Sequence, residues 1–219
     1  MNLIIDLLLK QDRLNTITIP KWKTKGLNFR RAIRQECAEA IDSTDWKWWK
    51  KGEVDEENLK IEAIDILHFA LSVFIMEDSS LNSVGLEELL SGEKYVGVND
   101  LQKHIEVVIK DSFKESASIL LLDALQLCSM VGFTEKTLFQ KYSTKYLLNV
   151  FRQQNGYKDG TYIKEWLLNG KKVEDNVVLT KCAKEVSESD NFEEDLLLKV
   201  CEAYTETKEA YEKAKGDQQ

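Results

Sequence analysis

Apolar residues recur at three- and four-residue intervals along most of this 219-residue chain, which is the spacing of amphipathic α-helices. Pro20 and Gly26 interrupt the pattern after the first helix. Residues 79–110 are expected to form a variable connection or insert, with an irregular stretch from Ser79 to Asn99. The pattern predicts eight helices, at residues 2–15, 27–43, 58–77, 99–110, 114–131, 134–154, 174–186 and 192–214. The expected fold class is therefore all-α.

The composition agrees with a folded, helical chain. One proline and 10 glycines are too few for turn-rich sandwiches or barrels. Hydrophobic residues make up 43% of the chain and charged residues 31%, which is typical of a folded protein rather than a disordered one. The length fits a single domain over residues 1–219, with a core large enough to fold without disulfides.

The formal charge of −8 limits the partners of this chain. It disfavours non-specific binding to nucleic acid, although a divalent cation would allow an anionic ligand to bind. The longest apolar stretch, Ile66 to Met76, is too short to span a bilayer, and Met1 to Asp6 lacks the basic start of a secretory signal. Four scattered cysteines are expected to be buried, reduced thiols. These features predict a cytoplasmic protein without a membrane segment.

Two pairs of acidic residues lie on consecutive predicted helices. Glu36 and Glu39 are three residues apart, as are Glu62 and Asp65, so each pair lies on one helix face. Both pairs are surrounded by apolar residues, where carboxylates are costly unless a positive charge neutralises them. Two such helices packed antiparallel would bring the four carboxylates together. Oxygen ligands of this kind suit Mg²⁺ or Mn²⁺.

The spacing of these acidic residues is also compatible with other kinds of site. A single acidic pair is usually a solvated face or pairs with neighbouring arginines, and the repetition on two helices makes this less satisfactory here. Asp65 and His68 also have the spacing found in ferritin-like di-iron sites. Such a site needs a second acid–histidine pair, and His104 has no acid three residues before it. His68 by itself is more typical of a hydrogen-bonded side chain than of a metal ligand.

Several segments together resemble a known family. Glu36-x-x-Glu39 followed by Glu62-x-x-Asp65 resembles the ExxE…ExxD signature of the all-α nucleoside triphosphate pyrophosphohydrolases, and within that superfamily the chain is similar to the dimeric dUTPases. The segments that carry the resemblance are Gln11–Asn15, Glu36–Ser43, Trp46–Lys50, Glu62–Phe69 and Leu148–Tyr162. The resemblance implies a helical bundle of this superfamily's type, with a helical insert and C-terminal helices.

The same resemblance implies a reaction. It implies that Glu36, Glu39, Glu62 and Asp65 bind Mg²⁺, or Mn²⁺ in its place. A metal-activated water would attack a phosphoryl group, and Glu36 or Glu39, with Glu36 preferred, would accept its proton. The products would be dUMP and pyrophosphate from dUTP, or dUMP and phosphate from dUDP. Such an enzyme limits uracil in DNA and supplies dUMP for dTMP synthesis, and the family implies a homodimer.

The resemblance also implies which residues bind the nucleotide. The expected phosphate-binding residues are Lys145, Arg152 and Lys158. The expected base- or sugar-binding residues are Gln11, Asn15, Trp46, Trp49, His68, Asn149, Asn155 and Tyr157. Residues 155–162 are expected to form a mobile lid loop over the nucleotide. Clustered tryptophans are equally typical of a core or a dimer interface, and this alternative stays open for Trp46, Trp48 and Trp49.

Two alternative functions stay open at this point. A related dCTP or general dNTP pyrophosphohydrolase would have the same metal site with a different base pocket. A helical interaction module with a vestigial site would be expected to have lost some of the carboxylates or the basic cluster. The chain retains all of them, which favours the enzyme.

Overall fold

A computed structural model describes residues 2–77, 97–114, 116–168 and 170–216 of this chain. The predicted all-α class is confirmed, since 72% of the chain is helical and strands are almost absent. The helices in the described part of the chain are α1 (Leu3–Thr18), α2 (Phe29–Asp42), α3 (Glu56–Met76), α4 (Val98–Lys114), α5 (Ala117–Met130), α6 (Glu135–Gln154), α7 (Asp175–Glu185) and α8 (Phe192–Gly216). A short 3₁₀ helix covers Trp22–Thr24. Most of the predicted stretch from Ser79 to Asn99 lies outside the described residues.

Polar side chains begin several of these helices by accepting hydrogen bonds from the first free backbone N–H groups. Asn2 caps α1, Asn28 caps α2 and Asp55 caps α3, where its carboxylate accepts from the N–H of Asn58. Ser116 caps α5 in the same way. The observed starts of these helices lie close to those predicted from the apolar pattern.

The described chain divides into two compact units, Met1–Phe139 and Gln140–Gln219, each of which is described by itself. In the first unit, α3 lies among α1, α2 and α5 and has twelve buried residues. Helices α2 and α3 are antiparallel, because Arg30 at the start of α2 pairs with Glu77 just after α3, and the N–H of Asp55 donates to the carbonyl of Ser43. This arrangement places the middle of α2 beside the first half of α3.

In the second unit, a small aromatic core joins the end of α6 to the following segments. Trp166 is fully buried and its ring lies 5.7 Å from that of Phe151 and 5.0 Å from that of Tyr204 on α8. Trp166 belongs to a two-stranded antiparallel hairpin of β1 (Glu165–Leu168) and β2 (Lys171–Glu174), in which Glu165 pairs with Glu174. The sequence pattern did not predict this hairpin, because neither of its four-residue strands alternates strictly between polar and apolar residues.

The cysteines differ in part from the prediction. Cys37, Cys128 and Cys182 are buried free thiols, and burial, the larger cause, together with the neighbouring Glu36 raises the pKa of Cys37 to about 12. Cys201 is exposed, so the prediction that all four are buried is wrong for this residue. It follows Val200, which faces the core from α8, and the next position on a helix points about 100° away.

The length and apolar character of the helices in the described ranges bear on whether any of them could span a membrane. No single helix among them is both long enough and apolar enough to cross a bilayer. One bent pair, Ala117–Met130 with Glu135–Gln154, passes on length and composition alone.

Candidate active site

Three carboxylates meet where α2 and α3 run side by side. Glu36 lies on α2, and Glu62 and Asp65 lie one turn apart on α3. Each offers an oxygen atom, and these atoms all lie within 4.8 Å of one another. Glu62 is buried, and the other two side chains are half-buried. A set of three carboxylate oxygens at this separation fits a hard divalent cation such as Mg²⁺ or Mn²⁺.

The three carboxylates influence one another electrostatically. The pKa of Glu36 is raised to about 8, first by burial, then by the charge of Asp65 and by a hydrogen bond with Glu62. Without a cation, this raised pKa favours the protonated form of Glu36 at neutral pH. A divalent cation bound by these carboxylates would reduce their repulsion and would displace a proton from Glu36.

Glu39, the fourth predicted ligand, lies one turn further along α2 and is exposed. Its carboxylate accepts a hydrogen bond of 2.9 Å from the side-chain amide of Gln35, and it is not part of the group of three. Its charge still contributes to the raised pKa of Glu36, as a smaller cause than burial and Asp65. Its role as a ligand or base stays a prediction.

Arginines on α2 make contacts of their own. Arg30 pairs with Glu77 at 2.8 Å. Arg34 donates to the hydroxyl of Ser112 and lies 4.2 Å from the ring centre of Phe113. The guanidinium groups of Arg30 and Arg34 therefore bind residues just after α3 and on α4.

A second polar cluster, the amide network, joins α1 to α3. Gln11, which is buried, donates from its side-chain amide to the Oδ1 of Asn15 and to the hydroxyl of Ser72, at 3.0 Å each. Asn15 donates to the same hydroxyl at 2.9 Å, and the Nδ1 of His68 lies 2.7 Å from the Oε1 of Gln11. Three residues predicted to bind the base thus lie together. Sequence reasoning missed Ser72, and its spacing of four from His68 is the signal that was available.

The tryptophan loop between α2 and α3 is exposed. Trp46, Trp48 and Trp49 expose 40%, 89% and 58% of their surface, so none of them belongs to the core of the first unit. The rings of Trp46 and Trp49 meet edge to face at 5.3 Å, and the indole N–H of Trp46 donates to Asp42 at 2.7 Å. The alternative that these tryptophans form part of the core is therefore wrong for all three rings. Base stacking by Trp46 and Trp49 stays a prediction.

In the second unit, Arg152 at the end of α6 forms a bidentate pair with Asp175, the first residue of α7. The Nε and Nη2 atoms of Arg152 each lie 2.8 Å from a carboxylate oxygen of Asp175, and the hydroxyl of Tyr162 donates to the same carboxylate at 2.7 Å. The guanidinium also lies 5.7 Å from the ring centre of Tyr157. One edge of the guanidinium that was predicted to bind phosphate is thus paired with Asp175, which sequence reasoning did not single out.

Asp175 is fully buried, yet it is held ionised. Burial, the largest cause, raises its pKa, but hydrogen bonds from Arg152 and Tyr162 and the charge of Arg152 outweigh it and lower the pKa below its ordinary value. The N–H of Asn176 also donates to this carboxylate at 2.8 Å. Such a fully satisfied buried pair orders the end of α6 and the start of α7.

The remaining predicted residues of the second unit lie on or just after α6. Asn149 and Asn155 are half-buried, Tyr157 and Lys158 are exposed, and Lys145 is half-buried. The amide of Asn155 donates to the carbonyl of Phe151 at 2.8 Å. Their contacts with a nucleotide stay predictions.

The predicted lid loop forms a compact turn. Gly156 has a φ of 87°, and the N–H of Thr161 donates to its carbonyl at 3.0 Å. A Cβ atom at Gly156 would lie 2.0 Å from the hydroxyl of Thr161, so only glycine fits. Gly160 also has a positive φ, of 70°, but it faces open space. The motion expected of this loop stays a prediction.

Comparison with protein families gives a match over most of the chain. The model described as dUTPase matches residues 4–157, which include both acidic pairs, the amide network and the end of α6. A comparison with curated proteins finds no match.

Proposed function

The chain belongs to the all-α dUTPase family, whose activity is that of a dUTP diphosphatase, and from this we propose that it hydrolyses dUTP with Mg²⁺ held by Glu36, Glu62 and Asp65. The observation that carries the proposal is the group of three carboxylates whose oxygen atoms lie within 4.8 Å of one another. Burial and then the neighbouring acidic groups raise the pKa of Glu36 in this group. An acidic protein needs a cation between its carboxylates and a triphosphate.

The roles proposed for the carboxylates follow from their positions. When bound, the cation polarises a phosphoryl oxygen and lowers the pKa of a bound water. Glu62, the buried member, fixes the site from α3, and Asp65 lies one turn away on the same helix. Glu36 accepts the proton of the attacking water through an oxygen that does not bind the cation, because its carboxylate lies beside those of Glu62 and Asp65 on the facing helix. Glu39 lies one turn away on the same helix as an additional ligand or alternative base.

The nucleotide is proposed to be recognised by the residues that the family resemblance names. Lys145, Arg152 and Lys158 bind phosphates, and Asn149, Asn155 and Tyr157 bind the sugar or base. In the first unit, the amide network and the tryptophan loop, through Trp46 and Trp49, bind the uracil. The expected substrates are dUTP and dUDP.

The metal site is tested by replacing a single carboxylate. Glu62→Gln removes one negative oxygen with little change in size, and we expect kcat/KM for dUTP to fall by about 100-fold or more, since even outer partners of metal ligands are worth roughly 10- to 100-fold. The measurement is release of pyrophosphate and dUMP in the presence of Mg²⁺. Glu57→Gln, an exposed residue in the first turn of the same helix, is the matched control and should keep the activity of the native chain.

The same assay distinguishes the alternatives. Native activity in Glu62→Gln would remove the proposed metal site. Equal turnover of dUTP and dCTP by the native chain would favour a general dNTP pyrophosphohydrolase. A homodimer in the cytoplasm is the proposed state of the enzyme, and sedimentation measurements of the purified chain test the dimer.

A further inference from the structure

The hydroxyl of Ser72 can only accept hydrogen bonds from the amide network. Ser72 is fully buried, and its Oγ donates to the carbonyl of His68, one helical turn earlier, at 2.9 Å. A hydroxyl has a single hydrogen and two acceptor positions. The side-chain amides of Gln11 and Asn15 donate to these positions, at 3.0 Å and 2.9 Å. All the hydrogen-bonding capacity of Ser72 is therefore used.

This acceptor fixes which way the amide of Asn15 points. Its Nδ2 faces the hydroxyl of Ser72, and its Oδ1 accepts from the Nε2 of Gln11 at 3.0 Å. Rotation of the amide by 180° would place oxygen against the acceptor of Ser72 and an amine against the amine of Gln11. Both contacts would be repulsive, so one orientation is strongly favoured.

The fixed amide still has capacity for a ligand. Asn15 is half-buried, and one hydrogen of its Nδ2 and one lone pair of its Oδ1 have no partner among the described residues. They form a donor and an acceptor in a set order. The edge of uracil offers a carbonyl acceptor beside an N–H donor, and cytosine offers an amine donor beside a nitrogen acceptor. A freely rotating amide would bind either base, whereas a fixed amide discriminates between them.

The network lies at a suitable place for a nucleotide base. Ser72 follows Asp65 by seven residues on α3, which corresponds to about 10 Å along the helix axis. Sugar and phosphates fit into such a separation between a base and a metal-binding carboxylate. Both Ser72 and Asp65 belong to the first unit.

We propose that Ser72 is a positioning residue for base selection, which holds the Asn15 amide in the orientation that pairs with uracil and rejects cytosine. This inference rests on the proposed function, because it assumes that the base binds at the amide network. Ser72 acts through Asn15 and does not itself contact the base.

The test compares dUTP with dCTP. We expect Ser72→Ala to lower the ratio of kcat/KM for dUTP to that for dCTP by about tenfold, the equivalent of one or two hydrogen bonds, mainly through a higher KM for dUTP, with kcat within about twofold of the native value. Ser129→Ala is the matched control, because Ser129 is equally buried, lies on α5, and has a hydroxyl without a hydrogen-bond partner in the described chain. It should keep the native ratio.

A merely structural role would lower both activities equally, and that result, or an unchanged ratio in Ser72→Ala, overturns the inference. Ser72→Cys provides a second variant of similar size, whose thiol is a weaker acceptor and should give an intermediate ratio. Calorimetric binding of dUMP and dCMP to the same variants should show the same order. Absence of dUTP turnover in the native chain would instead overturn the proposed function, while a native preference for dUTP that Ser72→Ala retains would overturn only the role of Ser72.

Discussion

Asp175 shows how much a single buried carboxylate can contribute. Its side chain is fully buried, that of Arg152 is 17% exposed, and two hydrogen bonds of 2.8 Å join them. Removing one member of such a pair leaves the other charge buried without compensation, which costs far more than the intact pair stabilises. Asp175 is therefore expected to matter for folding of the second unit even if it never touches the nucleotide.

Asp175→Asn is predicted to lower the free energy of unfolding by about 3 kcal/mol, because the buried guanidinium of Arg152 loses its counter-charge. Urea denaturation followed by circular dichroism measures the change. Asp190→Asn, at an exposed residue of the same unit, should change it by less than about 0.5 kcal/mol. A similar small change in Asp175→Asn would show that the pair contributes little.

The lowered pKa of Asp175 implies that the free energy of unfolding depends on pH. The pKa of Asp175 is lower in the folded protein than in the unfolded chain, so its contribution is fully present above the unfolded pKa, about 3.9. It is lost as the pH falls below that value and through the lower pKa of the folded state. The stability of the native chain should therefore fall more steeply below about pH 4 than that of Asp175→Asn. Parallel curves for the two proteins would contradict this assignment.

At the scale of elements, the periodicity of the apolar residues was sufficient to predict the helices. Helices α2 and α3 follow their apolar pattern, and Asn28 and Asp55 mark their starts. The grouping of Glu36 with Glu62 and Asp65 was predicted because spacing determines which residues share a helix face. The exposure of Glu39 was not, since it depends on how α2 is rotated against α3.

Other features of the structure were not accessible from the sequence for physical reasons. Asp175 lies 23 residues from Arg152, and nothing local indicates a pair between residues so far apart. The exposure of the tryptophan loop contradicts the general tendency of large aromatic side chains to be buried. The role of Ser72 depends on the direction of one hydroxyl hydrogen, which a sequence pattern does not contain.

The two glycines with positive φ in the loop after α6 are expected to differ in their tolerance of alanine. Gly156→Ala should destabilise the protein by more than Gly160→Ala, because both have positive φ but only the first would place a Cβ against the hydroxyl of Thr161. The conformational cost alone is about 1–2 kcal/mol and applies to both. Chemical denaturation of the two variants measures the difference. Equal losses would show that the loop adjusts without resistance around residue 156.

At the scale of the whole molecule, the net charge of −8 and the acidic cluster act in the same direction. Repulsion among the carboxylates disfavours the compact state, and a bound divalent cation reverses this effect. If the cluster binds a cation as proposed, folding and cation binding are coupled, and the thermal midpoint reports on the site without a substrate.

Mg²⁺ is predicted to stabilise the native chain by about 2.7 kcal/mol at a concentration of 100 times its dissociation constant. The rise in thermal midpoint on adding Mg²⁺ should be largely lost in Glu62→Gln and retained in Glu57→Gln. Differential scanning calorimetry at constant ionic strength separates specific binding from general screening. An equal rise in all three proteins would indicate screening alone.

The distribution of the five tryptophans has a consequence for spectroscopy. Trp22 is 2% exposed in the first unit and Trp166 is 0% exposed in the second, while the other three lie together on the exposed loop between α2 and α3. Indole fluorescence therefore contains three separable signals: one buried emitter in each unit and a group open to aqueous quenchers. Replacing Trp22 or Trp166 with phenylalanine assigns each buried emission, so that the two units can be followed individually as they unfold. Collisional quenching of the remaining emission reports the solvent exposure of the loop.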